Sequence, residues 1–191
     1  LTHAVESFVS GFSTPDTLAL SKKATRMIFK NLPVACKTGT NVEAREAMLM
    51  ASTYAGLAFT RASVGYVHAI AHQLGALYHT PHGLANAIAL PYVFEFYLGG
   101  DEKCVAMLAE LANVVGIGAK KDDDFTRASK FVDGIKALNK KVGIPETLDA
   151  LQEDDLDEIV NRALGEAQGT YAVPRYMEKA DCKAVLMKML G

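Results

Sequence analysis

Cysteine is scarce in this chain of 191 residues: Cys36, Cys104 and Cys182 are its whole complement, odd in number and without a CxxC pair. A disulfide framework and a cysteine zinc site are thereby excluded, and a reducing, cytoplasmic setting is expected. Also missing are an uninterrupted apolar run of roughly twenty residues and a charged leader followed by an apolar stretch, so neither a membrane span nor secretion is signalled. Formal net charge is only −2, and no basic stripe with interleaved aromatics occurs, which argues against a nucleic-acid partner. Alternating Val/Ile/Thr patterns and tight Asn-Gly turns are absent as well, which removes the usual signs of a sheet.

What is present is the mixture of a packed domain, with 50% hydrophobic and 22% charged residues. The length suits a single domain with a real core, or at most two small ones. Ala, Leu, Met, Glu and Lys dominate and apolar residues recur at three- and four-residue spacings, so the expected class is all-α, a helical bundle. After an opening helical segment, helices are expected at about 17–32, capped by Asp16 and ended by Pro33, and at 42–59, capped by Asn41. The second half of the latter, MLMASTYAGLAFT, is nearly uncharged, which predicts a central helix. A helix carrying His68 and His72 should stop near Pro81, and the apolar stretch after it should be interrupted at Pro91. Charged outer helices are expected over 101–115, 124–141 and 154–167, and a last helix over 177–189. The chain begins at Leu1 inside an amphipathic pattern, so it is expected to be a piece of something longer.

Histidine is the other scarce residue, and it is unevenly placed. Four of the five histidines fall within GYVHAIAHQLGALYHTPHG, residues 65–83, and the fifth is His3. His68 and His72, four apart, share one helix face and can point at a common centre. Neutral imidazole suits zinc, iron or nickel, and such a pair often begins a metal site. Pro81 lets the chain turn back, so His82 at the start of the following helix can approach that face; Gly65, Ala69, Ala71, Gly75 and Ala76 keep it uncrowded. The competing reading is three hydrogen-bonded core histidines. His79, where the helix frays, is expected at the pocket mouth or in solvent. The seven methionines fit core packing better than a copper site, and Cys36 reads as an inert thiol.

Residues 54–91, with G-x-x-H-x-x-x-H-x-x-G followed by P-H-G, resemble the signature region of the iron-containing, or group III, alcohol dehydrogenases, and LTHAVESFVS resembles that family's D-A-L-T-H-A-x-E opening. The resemblance implies the C-terminal helical metal-binding domain of the dehydroquinate synthase-like fold, spanning 1–191. It implies a divalent metal, Fe2+ or in some members Zn2+, held by His3, His68, His82 and an aspartate upstream of Leu1, with His72 taking part in proton transfer. It further implies NAD(P) bound by an N-terminal α/β domain absent from this chain, interconversion of a small primary alcohol and its aldehyde, and a homo-oligomer at full length. A fragment lacking that domain is not expected to turn over. Tyr54, Leu57, Phe59, Leu74 and Leu77 are expected to form an apolar wall for the substrate. A glycerol dehydrogenase-like zinc enzyme and a non-catalytic helical metal-binding module remain the competing readings, whereas a helical metallohydrolase would want H-E-x-x-H, which does not occur.

Overall fold

Thr14 starts the longest helix: its side chain accepts from the Thr17 amide while Thr17 reaches back to the Thr14 amide, and Pro15 fills the first turn, where no N–H is needed. This capping box, rather than Asp16, sets the start of that helix, because a helix begins where the side chain can close on the first free amides. In the computed structural model, which describes residues 1–191, nine α-helices follow in order: α1 (Thr2–Val9), α2 (Pro15–Lys37), α3 (Val42–Ala62), α4 (Tyr66–Tyr78), α5 (His82–Leu98), α6 (Glu102–Val115), α7 (Asp124–Lys141), α8 (Leu156–Ala167) and α9 (Lys179–Met187). A 3-10 turn at Glu153–Asp155 leads into α8, and no strand forms. Asn41, Asp101 and Asp123 cap α3, α6 and α7 through their side chains. The all-α expectation is borne out, and no helix is long and apolar enough to cross a membrane.

Two expected breaks are not breaks. Pro33 lies inside α2 and Pro91 inside α5. Each proline removes one backbone hydrogen bond, but Pro91 is itself buried and flanked by Leu90, Val93 and Phe94 in the core, so tertiary packing holds the helix through it.

The expectation of a central α3 is also corrected. Only its alanine stripe, Ala44, Ala51, Ala55, Ala58 and Ala62, is buried, against α1 and α2, while Leu49 and Leu57 face outward, 71% and 58% exposed. An uncharged helix need bury only the face that fits its neighbours, and alanines allow the closest approach. The central helix is α4, in which Tyr66, Val67, Ala69, Ile70, Ala71 and Leu74 are fully enclosed. It packs between α5 and α8, and its apolar residues join those of α5 to α9 in one continuous core. The bundle thereby clamps the histidine-bearing helix from several sides.

Candidate metal centre

The local chain path explains why four imidazoles meet. α3 ends at Ser63, which has a positive φ of 66°, and Gly65 opens α4. A Cβ on Gly65 would stand 2.9 Å from Glu6 Oε1, so a larger residue there would displace the Glu6 carboxylate from the first turn of α4. Glu6 uses that access. Its Oε1 accepts from the Val67 amide at 2.8 Å and its Oε2 meets His68 Nδ1 at 2.5 Å, with both side chains almost wholly buried. A carboxylate enclosed here is compensated by the free amides of the helix start and by the imidazole N–H. At the other end, His79 adopts a left-handed conformation, its amide closes on the Gly75 carbonyl, and Pro81 precedes the first residue of α5, His82.

His3, from α1, stacks between Phe59 and His68, with ring centroids 4.0 and 4.5 Å apart. His68 lies 5.4 Å from His82 and 5.9 Å from His72, and the rings of His72 and His82 stack at 5.4 Å. The structure therefore brings together all four histidines singled out from the sequence, His3, His68, His72 and His82. His79 is exposed and takes no part. His3, His68 and His82 border a cavity of about 350 Å3, to which Asn86, one turn after His82, also contributes.

Whether these residues suit a metal ion can be judged on their chemistry. Burial first, then the neighbouring imidazoles of His68 and His82, lower the His3 pKa to about 4. Burial, with His68 and His72 beside it, lowers that of His82 as well. Both are held neutral, the form that ligates. With Glu6 on its Nδ1, His68 has Nε2 as its remaining lone-pair nitrogen, the carboxylate–histidine arrangement found behind metal ligands. Asn86 Oδ1 is enclosed without any hydrogen-bond partner, an orphaned acceptor on the same cavity. The donor set fits a divalent cation. No three His, Cys, Asp or Glu side chains of the chain converge closely enough to cage one by themselves, and His3 and His68 meet face to face.

Of the expected apolar wall, Phe59 stacks on His3, but the rest lies elsewhere. Leu74 points into the main core, Leu57 into solvent, and Tyr54 pairs with Lys23. The cavity is bordered by Leu32 and Cys36 of α2, Leu90 of α5, Leu138 of α7 and Val142 just beyond it. Helical spacing alone does not say which neighbouring helix covers a given face. Three residues given no role from the sequence matter here: Glu6, Asn86 and Glu166, whose Oε1 lies 2.7 Å from His72 Nδ1. Glu6 stands three residues after His3, a visible spacing; Glu166 gave no sequence signal at all.

The lowered histidines make the metal-free protein acid-sensitive. Between the ordinary value of 6.5 and about 4, the unfolded chain binds a proton at His3 that the folded chain refuses, so stability rises with pH in that window and is lost as pH falls through it. The urea midpoint of metal-free protein should therefore drop between about pH 7 and pH 5, and His3→Gln should flatten the slope. An equal slope in that variant would show that other groups govern it.

A helical bundle presenting several neutral imidazoles over a partly apolar cavity defines the class: an all-helical domain built around a histidine cluster. Residues 1–190 match the family model described as the Fe-containing alcohol dehydrogenase family, C-terminal, and the chain belongs to that family. It is 39% identical over 189 residues to the 1,3-propanediol dehydrogenase of Klebsiella pneumoniae, covering 97% of this chain and 47% of that protein. It is 35% identical over 191 residues to the NADPH-dependent butanol dehydrogenase of Clostridium saccharobutylicum, again covering 97% and 47%. Among solved structures, 1,3-propanediol oxidoreductase superposes with a TM-score of 0.93 at 36% identity, over 99% of this chain and 49% of that one. The chain thus spans about half the length of the relatives it matches.

Proposed function

We propose that this chain is the metal-holding helical half of an NAD(P)-dependent enzyme that interconverts a small primary alcohol and its aldehyde. The observation that carries the reading is the cluster of His3, His68 and His82, neutral and grouped on one cavity, with His72 beside them. These three would hold the metal, Fe2+ or Zn2+, together with a ligand from outside the chain. When bound, such an ion supplies Lewis-acid stabilisation of an alcohol oxygen losing its proton. The oxidation balances as one hydride from the carbinol carbon to NAD(P)+ and one proton from the hydroxyl to solvent. His72, 42% exposed at its side chain, is placed to accept that proton and pass it outward. Leu32, Leu90, Leu138 and Val142 exclude water and suit a short alkyl chain. The nucleotide falls to the half of the protein that the relatives carry beyond this match, and those relatives include both an NADPH-dependent butanol dehydrogenase and an NAD-dependent methanol dehydrogenase.

The test uses the full-length protein, titrated anaerobically with Fe2+ and Zn2+ and assayed for aldehyde reduction with NADH and NADPH. One metal per chain and turnover of short primary aldehydes are expected. Failure to bind either metal would sink the reading, and a strong preference for polyols would move it to the glycerol dehydrogenase-like alternative.

A further inference from the structure

Glu166 sits in the last turn of α8, where the helix dipole disfavours a carboxylate and no basic side chain of that turn offsets it. It is nonetheless held on several sides. Tyr171 donates its hydroxyl to Oε1 at 2.7 Å, Gln73 donates its amide to Oε2 at 3.1 Å, and His72 Nδ1 lies 2.7 Å from Oε1. Gln73 is itself buried and anchored to the Ala69 carbonyl at 3.2 Å. The Tyr171 phenol is pushed well above its usual range, by burial first and then by Glu166, so it stays a donor. An ordinary surface ion pair swings freely and contributes little. This carboxylate has its orientation fixed by two residues other than its histidine partner.

The geometry assigns Glu166 the part of a positioning residue: held by Tyr171 and Gln73, it keeps the proton of neutral His72 on Nδ1 and leaves Nε2 bare as the only nitrogen able to take a proton. The assignment of that proton to an alcohol hydroxyl rests on the proposed function; the tautomer itself does not. A carboxylate has no proton to give and can only accept, so whichever nitrogen faces it must be the N–H. No protein group bonds Nε2, and the His72 ring lies against His82 of the proposed metal centre. In the oxidation, the O–H bond of the alcohol breaks and an N–H bond forms at Nε2. The resulting imidazolium keeps its Nδ1–H on Glu166 and releases the Nε2 proton to solvent through its exposed edge. With Glu166 removed, the ring is free to carry its proton on Nε2, and the acceptor is lost.

The deciding measurement is the nitrogen spectrum of the full-length protein carrying [15N]histidine, metal-free and at about pH 8.5, where imidazoles are neutral. His72 is identified by the loss of its signals in His72→Asn. Wild-type His72 should show a protonated Nδ1 and a bare Nε2, and Glu166→Leu should shift it to the Nε2-protonated form. A wild-type ring protonated on Nε2 overturns the assignment without recourse to any variant, and so does an unchanged spectrum in folded Glu166→Leu. In turnover, Glu166→Leu should lower kcat for alcohol oxidation by about 10- to 100-fold with metal content and alcohol KM unchanged. An unchanged kcat in His72→Ala would refute the proton route through His72 while the tautomer result stands, so the two failures are distinguishable.

Discussion

His68→Ala is expected to leave the full-length protein without bound metal and without measurable aldehyde reduction, and to destabilise the metal-free chain as well. Of the three candidate ligands, His68 is the one whose side chain is almost fully buried, and its ring lies between those of His3 and His82 in the cluster. Removing it takes away a donor that no side chain nearby can replace. The loss in metal affinity should exceed the 10- to 100-fold that typically follows removal of a residue behind a ligand. The second effect comes from Glu6. Without His68 its Oε2 remains in a dry site with nothing opposite, and stripping one partner from a buried pair costs about 3–5 kcal/mol. Metal titration and urea unfolding of the same variant read the two effects separately. Retention of metal at wild-type affinity would remove His68 from the ligand set.

Glu6→Leu makes the converse test. The substitution strands two donors, the Val67 amide and His68 Nδ1–H, at the first turn of the most enclosed helix. Each unmet buried donor costs about 1–3 kcal/mol. Metal affinity should fall by about 10- to 100-fold, because His68 loses the contact that fixes its ring and its tautomer. The two substitutions should not add. In Glu6→Leu/His68→Leu the charge and the imidazole are both gone, and only the Val67 amide stays unpaired, at about 1–3 kcal/mol. A double-mutant cycle by urea unfolding should therefore show a loss well short of the sum of the two single losses, and additive losses would mean the two residues act independently.

Much of this was legible from residue order alone. The helical period gave the class, the Asn41 cap and the span 124–141, because side-chain caps and amphipathic faces are local properties. The histidine spacing located the cluster before any coordinates, since His68 and His72 need only a helix and His82 only a turn at Pro81. What stayed hidden was decided at long range. Pro33 and Pro91 look like stops until the packing that carries their helices through is seen. The uncharged surface of α3 looks central until its large side chains are found facing outward. Of the residues expected to wall the substrate, Phe59 reaches the histidine cluster while Leu57 faces solvent, and Glu166 could not be paired with His72 from any pattern within one element.

Those long separations govern how the site comes into being. Glu6 and His68 are 62 residues apart, and His72 and Glu166 are 94 apart. Neither pair can meet until a large loop has closed, an entropic cost met before the contact returns anything. A chain emerging from the ribosome therefore presents His68, His72 and His82 long before the carboxylate that orients His72 has been made. The oriented constellation belongs to the finished bundle, so tight and selective metal uptake is expected as a late event that reports completed folding rather than a nucleus that drives it.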